Sequence, residues 1–194
     1  MEGKRAGEKI YTQADCEAVG AEISLKGKVM VLDSAASKKG PGHQLAFCIG
    51  GGRADANPKY PWVFYVDLKD GDVMRCNRKG ILGLLKPQLL PEEEKLQLSQ
   101  IRPIGARPLE GHTPLYSGYS FLEDGRYAAG VGLCSEQEVF DYVDMQMPYQ
   151  HRVMICDSYD FCVMEVIDGK QTFPDMEEWK RNQKLEACGE MEIR

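Results

Sequence analysis

Short apolar runs separated by turn sequences constrain this chain most strongly. Between residues 28 and 78, four runs of six or seven residues alternate with glycine-rich or aspartate-rich breaks. Two of them flank Asp70-Gly71, and an Asp-Gly pair between apolar runs is a strong β-hairpin signal. The pattern predicts an antiparallel meander of short strands that closes into a small barrel or a curved sheet. The predicted strands are KVMVLD (28–33), QLAFCIG (44–50), WVFYVDL (62–68) and VMRCNR (73–78).

Helical patterns flank these strands. The segment YTQADCEAVGAEI (11–23), with Thr12 as N-cap, predicts a short opening helix. A second helix is predicted over 91–101, because that segment begins with a proline and three acidic residues. Prolines and glycines then crowd the sequence RPIGARPLEGHTP. We therefore predict a β-rich unit with flanking helices over residues 1–101 and an extended connector over 102–116.

Residues 117–194 predict a second unit with the element order ββαββ and a terminal helix. Asp124-Gly125 and Asp168-Gly169 mark turns. Ser135 followed by Glu138 is a capping box, which predicts a helix over 136–147 that ends before Pro148. The predicted apolar face of this helix comprises Val139, Phe140, Val143 and Met147. The two strands predicted after it are RVMICD (152–157) and FCVMEVID (161–168). The predicted terminal helix is PDMEEWKRNQKLEA (174–187). The predicted fold class is α+β.

Composition and charge describe a soluble protein with two different surfaces. The chain has 194 residues, 43% of them hydrophobic and 28% charged. No window approaches the 18 or more uninterrupted apolar residues of a membrane span, and the start lacks a signal-peptide apolar region. Residues 1–110 hold 17 basic and 14 acidic residues, a net charge of +3. Residues 111–194 hold 7 basic and 16 acidic residues, a net charge of −9, so the whole chain has a net charge of −6. We expect no membrane contact, a cytoplasmic location, and two units with distinct partners or faces.

The seven cysteines are an odd number and include no C-x-x-C pair. A secreted disulfide framework would show an even count in a shorter chain. Most of these cysteines sit inside apolar runs, where a free thiol behaves as a small hydrophobe. We therefore predict buried, reduced thiols.

The glycine run Gly50-Gly51-Gly52 allows two interpretations. A phosphate-binding loop needs a strand, then glycines, then a helix whose N-terminus faces the anion. Here Pro58 and Pro61 follow the glycines and precede another strand, and no Gly-Lys-Ser/Thr is present. The run is better explained as a flexible joint between two strands, and its long loop is a candidate recognition element.

The segment GGGRADANPKYPWVFYVDLKDGDVMRCNRKGILGLLKPQLLPE (50–92) resembles uncharacterised accessory proteins carried by conjugative and other mobile elements of Gram-positive gut bacteria. The segments DGRYAAGVGLC (124–134) and MPYQHRVMICD (147–157) resemble such proteins as well. The resemblance covers about half of the chain and brings no catalytic residues with it. It implies a genomic setting, in which some accessory factors inhibit host defence enzymes.

Three kinds of reactive site were considered. A metal site could use His151, Cys156 and Cys162, but their spacing lacks the usual zinc pattern, so we predict no metal and no cofactor. A thiol nucleophile could use Cys134, at the start of a helix, with His112 or His151 as base. A pair of carboxylates could come from Asp157, Asp160 and Glu165 or from Asp141 and Asp144, but turn and helix acids commonly cap the backbone or face water. We assign no catalytic residues.

The remaining feature is a set of basic and aromatic residues in the first unit. The candidate binding residues are Arg53, Asp55, Lys59, Tyr60, Trp62, Arg75 and Arg78. We predict a non-catalytic binding protein that contacts an unidentified protein partner, because no reactive site is evident and the charge is split between the two units. Tyrosine and arginine are typical interface anchors. The alternative is a nucleic-acid-binding protein that uses a basic face of residues 26–88, although a balance of +3 is small for that class. A cysteine-dependent hydrolase is the third candidate.

Overall fold

The computed structural model describes residues 9–18, 23–51, 62–103 and 113–174. The chain divides into two compact units, Met1–Gly105 and Ala106–Arg194. Each unit is built on its own antiparallel sheet. The α+β class predicted from the sequence is confirmed.

The first unit contains a six-stranded antiparallel sheet with the order β1-β6-β2-β3-β4-β5. Its elements are β1 (Cys16–Glu17), β2 (Val29–Leu32), β3 (Leu45–Gly50), β4 (Trp62–Asp67), β5 (Val73–Asn77), β6 (Ile81–Leu85) and the helix α1 (Glu92–Ser99). The four predicted strands form the meander β2 to β5. Strands β1 and β6 were missed, because a two-residue strand has no periodicity and Gly83 interrupts the apolar run of β6.

Chain connectivity forces this sheet to curve. Only Arg78–Gly80 joins β5 to β6, yet β2, β3 and β4 lie between those two strands in the sheet. A short connection can link the two only if the sheet curls until its ends approach each other. The side chains on the concave face come from every strand of this arc and form one core, composed of Leu25, Met30, Leu32, Ala46, Cys48, Val63, Tyr65 and Cys76 with Met74, Ile81 and Leu84 packed against them.

The predicted opening helix is wrong over the described residues. Gln13–Asp15 form a single 3₁₀ turn, and Cys16 then pairs with Leu85 of β6. The Asp15 carboxylate accepts hydrogen bonds from the Thr12 backbone N–H (2.8 Å) and hydroxyl (3.1 Å), which closes the turn. Edge pairing with β6 therefore outweighs the helical spacing of the apolar residues, and residues 19–22 lie outside the described chain.

The second unit has a five-stranded antiparallel sheet with the order β11-β10-β9-β7-β8. Its elements are β7 (Tyr116–Phe121), β8 (Val131–Leu133), α2 (Glu136–Gln146), β9 (Arg152–Asp157), β10 (Cys162–Ile167) and β11 (Lys170–Phe173). The predicted ββαββ order is present, and β11 adds a strand. Asp168 and Gly169, with φ of 48° and 73°, form the two-residue loop that turns β10 into β11.

Helix α2 begins where the capping box predicts, with Ser135 as its N-cap. The Ser135 hydroxyl accepts from the Glu138 backbone N–H at 3.2 Å, whereas the Glu138 carboxylate accepts from the N–H of Cys134 at 3.0 Å, one residue before the N–H that a capping box uses. The predicted apolar face is partly wrong, because Phe140 is 48% exposed. The face that packs on the sheet is rotated by part of a turn and is centred on Tyr142, which is fully buried.

Two predicted segments extend beyond the described residues. Most of the connector (104–112) and of the terminal helix (175–187) belongs to them. Across the described residues, no helix is long and apolar enough to cross a membrane.

Candidate interaction surface

The outward face of the β4–β5 hairpin collects exposed apolar and aromatic side chains. Phe64 lies opposite Arg75, and Trp62 lies opposite Asn77. Alternation along a strand therefore places Trp62, Phe64, Val73 and Arg75 on the same side of the hairpin, which we call the β4–β5 face. Trp62 and Phe64 are each 41% exposed and Val73 is 67% exposed. Strand β5 is also the last strand in the sheet order, and no other strand of the described residues pairs with its outer edge.

A cation–π contact organises the middle of this face. The guanidinium carbon of Arg75 lies 4.7 Å from the ring centroid of Trp62. Such a contact stabilises an exposed site by about 0.5–1 kcal/mol. It restricts both side chains before any partner arrives, which lowers the entropic cost of using them in binding.

The glycine run shapes the border of the β4–β5 face. Gly50 and Gly51 have φ of 140° and 104°, conformations that residues with a side chain rarely adopt. A Cβ atom on Gly51 would lie 2.5 Å from the Trp62 carbonyl oxygen and 3.1 Å from Cδ2 of Phe64. Glycine at this position therefore lets the end of β3 pass close to the start of β4.

The strands on either side of the run also argue against a phosphate loop. Strands β3 and β4 are antiparallel neighbours, with Cys48 opposite Tyr65. The glycines therefore lead into a connection that returns to the adjacent strand, as the joint interpretation predicts, whereas nucleotide-binding glycine loops lie between a strand and the helix of a parallel crossover.

The structure brings some of the predicted binding residues together and separates another. Trp62 and Arg75 are in contact. Arg78 instead donates to the backbone carbonyl of Ile23 at 2.7 Å, so it connects the end of β5 to the segment that precedes β2. Phe64 and Val73 were missed, although alternation within the hairpin predicted by Asp70-Gly71 would have placed both on this face. Four predicted residues, Arg53, Asp55, Lys59 and Tyr60, lie outside the described residues, between Gly51 and Trp62.

A positive charge beside the turn of this hairpin is already neutralised. The Lys39 ammonium lies 2.5 Å from a carboxylate oxygen of Asp70 and 2.5 Å from one of Asp72. The hydrogen bond from Lys39, followed by one from the Asp72 backbone, lowers the pKa of Asp70 below its ordinary value. With Arg78 also engaged, the basic face considered for nucleic acid loses two of its cations to intramolecular contacts.

The thiol candidate is not assembled from the described residues. Leu133 pairs with Tyr116, and Tyr116 pairs with Asp157, so Cys134 lies at the Asp157 end of β9. His151 precedes the other end of β9, six residues away, which is about 20 Å along a strand. His151 hydrogen-bonds Asp168 at 2.8 Å instead. The alternative base, His112, lies outside the described residues.

Burial also works against reactive thiols elsewhere in the molecule. Six of the seven cysteines lie in the described residues as free thiols, and four of these are buried, as the sequence predicts for most of them. Burial raises the pKa of Cys76 to about 12. It also raises the pKa of Cys156 and of the more exposed Cys162, whereas an activated nucleophile needs a lowered pKa.

The metal and carboxylate candidates of the second unit are likewise explained by local structure. Cys156 and Cys162 are cross-strand neighbours, but His151 lies beyond the opposite end of β9. Asp157 accepts hydrogen bonds from the backbone N–H groups of its own turn. Glu165 accepts from Thr172 and Arg152, which lowers its pKa, whereas a general acid needs a raised one.

Known proteins give no indication of the function, so the function has to be inferred from the geometry of the described residues. No protein-family model, curated protein or solved structure matches the chain. The β4–β5 face offers an apolar contact surface, a planar cation and an open strand edge. These features suit binding, and a reaction would need activated groups beside them.

Proposed function

We propose that this protein is a non-catalytic binding protein and that it contacts a protein partner through the β4–β5 face. The observation that carries the proposal is the grouping of Trp62, Phe64 and Val73, all exposed, around Arg75 on one side of one hairpin. Burying these side chains against a partner removes apolar area from water, which is the main favourable contribution to protein association.

The composition of the β4–β5 face matches the anchors of protein interfaces. Tryptophan and arginine are enriched among the few residues that dominate binding energy. Here the two are stacked, so they present one preorganised unit. The edge strand β5 adds backbone groups to which an extended segment of a partner can pair. Together these features favour a partner that contributes an apolar or extended segment.

The two units differ in charge, which suggests separate roles in association. Among the acidic residues of the second unit are Asp141, Asp144, Asp157 and Asp160. Asp144 and Asp160 are exposed, whereas Asp157 is engaged in its turn. Exposed charges of this kind change association rates and their salt dependence more than affinity. We assign the affinity to the first unit and a rate effect to the second.

The resemblance to accessory proteins of mobile elements extends the proposal. It suggests a cytoplasmic partner belonging to a host defence system, inhibited by occupation of its surface. The support for this part is the sequence resemblance over residues 50–92, 124–134 and 147–157 alone.

Nucleic-acid binding is the second candidate, because an exposed tryptophan beside an arginine is also a platform on which a base can stack. The engagement of Lys39 and Arg78 in intramolecular contacts disfavours it. A column of immobilised single-stranded oligonucleotide separates the two functions. Protein contact predicts no retention at moderate salt, whereas retention that falls steeply with rising salt would favour the nucleic acid.

The test of the protein-contact proposal is a crosslinking pull-down followed by affinity measurement on the captured partner. Trp62→Ala and Arg75→Ala are compared with Tyr159→Ala, a matched control because Tyr159 is an aromatic residue that is 80% exposed in the second unit. Removing a tryptophan anchor weakens the binding free energy by about 2 kcal/mol, which corresponds to about 30-fold weaker binding. We expect that loss for Trp62→Ala, a smaller one for Arg75→Ala, and none for the control.

The reverse pattern would overturn the assignment. If Tyr159→Ala abolishes capture and both first-unit variants bind normally, the interface lies in the second unit. Circular dichroism of each variant shows whether a loss of binding reflects a loss of folding.

A further inference from the structure

A histidine and two aspartates converge beside the turn of the β4–β5 hairpin, away from the β4–β5 face. His43 ends a 3₁₀ turn (Pro41–His43), Asp67 ends β4, and Asp70 lies in the following turn. His43 Nδ1 lies 2.8 Å from Asp67 Oδ2 and 3.7 Å from Asp70 Oδ2. One ligand-type atom from each of the three residues lies within 4.8 Å of the others.

Backbone groups orient both carboxylates toward the histidine. Asp67 Oδ1 accepts from the Lys69 N–H at 2.9 Å, which leaves Oδ2 directed at His43. Asp70 Oδ1 accepts from the Asp72 N–H at 3.1 Å, and its Oδ2 lies on the His43 side. Such outer hydrogen bonds hold ligands in place at metal centres. Each carboxylate therefore uses Oδ1 to accept from the backbone and has Oδ2 on the His43 side, where Asp70 Oδ2 also accepts from the Lys39 ammonium.

Burial and charge make this point favourable for a dication. The Asp67 side chain is only 2% exposed, so its charge is poorly hydrated. Asp70 and Asp72 beside it add two more carboxylates, and the Lys39 ammonium contacts both of them. With His43 neutral, the group has an excess charge of about −2, since three carboxylates face one ammonium. A divalent cation compensates that excess.

We propose that His43, Asp67 and Asp70 bind one zinc ion, with a fourth position open to solvent. Zinc binds imidazole nitrogen and carboxylate oxygen at about 2.0–2.2 Å, which places neighbouring ligand atoms of a tetrahedron about 3.3–3.6 Å apart. The two His43 distances of 2.8 and 3.7 Å lie on either side of that range, and the three ligand atoms lie within 4.8 Å of one another, so changes of up to about 1.5 Å in these distances complete the site. Neutral His43 binds the metal through Nδ1 as the tautomer that carries its proton on Nε2, so metal bonds replace the hydrogen bond to Asp67 Oδ2.

Lys39 is the internal competitor for this site. Its ammonium contacts Asp70 and Asp72 at the same time, so a metal that takes Asp70 leaves it with Asp72. Removing the ammonium while keeping the length of the side chain should therefore strengthen metal binding. The sequence prediction of no metal had weighed only His151, Cys156 and Cys162, because ligands 24 residues apart form no recognisable spacing.

The test is titration of the full chain, in a Cys162→Ser background, with Zn²⁺ by calorimetry and with Co²⁺ by absorption. The background removes the one exposed thiol among the described residues, which could compete for the metal. We expect one equivalent of metal and a cobalt spectrum without a thiolate charge-transfer band. His43→Gln and Asp67→Asn should each weaken binding by about 100-fold or more, by loss of a ligand. Asn at position 67 can still accept from the Lys69 N–H, so the turn remains capped.

Two further variants make the result decisive. Lys39→Met should tighten zinc binding by about 5- to 10-fold, the effect of removing a neighbouring like charge near a protein surface. His151→Ala, which removes the other described histidine, should leave binding unchanged. Absence of stoichiometric binding, a thiolate band, or equal affinities for wild type, His43→Gln and Asp67→Asn would each overturn the proposal. None of these outcomes depends on the β4–β5 face or its partner.

Discussion

Replacing Gly51 by alanine tests how the glycine run supports the β4–β5 face, and Gly50 is its matched control. Both glycines have positive φ, of 104° and 140°, so alanine at either position strains the backbone by about 1–3 kcal/mol. The two differ in the space around them. A Cβ on Gly50 meets nothing within 4 Å, whereas one on Gly51 lies 2.5 Å from the Trp62 carbonyl oxygen.

The contact at Gly51 involves backbone, which cannot rotate away as a side chain can. The start of β4 must therefore shift, at a cost of about 1–3 kcal/mol for overpacking. We expect Gly51→Ala to destabilise the first unit by about 1–3 kcal/mol more than Gly50→Ala. The shift also displaces Trp62 and Phe64, so the Arg75–Trp62 contact should weaken in Gly51→Ala alone.

Urea unfolding of the full chain provides the measurement. Trp62 fluorescence, in a Trp179→Phe background that removes the second of the two tryptophans, reports the β4 end of the first unit. Because a chain of two units need not unfold in one step, hydrogen exchange of β3 and β4 amides supplies the stability of the first unit separately. Equal destabilisation by the two alanines, or a larger effect at Gly50, would refute the steric reasoning.

Two other predictions concern the cores. A Cβ on Gly118 would lie 2.6 Å from Cε1 of Tyr142, and one on Gly130 would lie 2.5 Å from Cε1 of Tyr119. Tyr142 is fully buried and hydrogen-bonded to Ser120 at 3.0 Å, whereas Tyr119 is half-buried and can move aside. Gly118→Ala should therefore lower the free energy of unfolding in urea by about 2–4 kcal/mol, and Gly130→Ala by under about 1 kcal/mol. Equal losses for the two variants would contradict this reasoning. Burial raises the pKa of Cys76 from 9.0 to about 12 and that of Tyr65 from 10.0 to about 12. Their neutral forms favour the folded state, so this contribution is complete below pH 9 and is lost as the pH rises toward 12. Urea midpoints of the first unit should fall over that range, and Cys76→Ala and Tyr65→Phe should each flatten the decline; a decline unchanged in both variants would contradict the assignment.

Local signals in the sequence were sufficient for much of the fold. The four strands of the meander follow from apolar runs and an Asp-Gly turn, and α2 begins at the predicted capping box. These features depend on residues close together in the chain, whose preferences act before any tertiary contact forms. The predicted face of α2 was wrong at Phe140, because helical periodicity allows more than one apolar stripe and packing against Gly118 selects the one containing Tyr142.

Contacts between distant residues decided the rest. The sequence by itself determined the four strands of the meander, the Asp-Gly turns, and that Trp62 and Arg75 belong to one hairpin. Only the tertiary structure decided that β6 crosses beside β2, that Arg78 binds the Ile23 carbonyl, and that His43 meets Asp67 and Asp70. Pairings of this kind join residues 24 to 55 positions apart. Their formation depends on how the whole sheet curves to bury its core, and no local pattern of residues records that curvature.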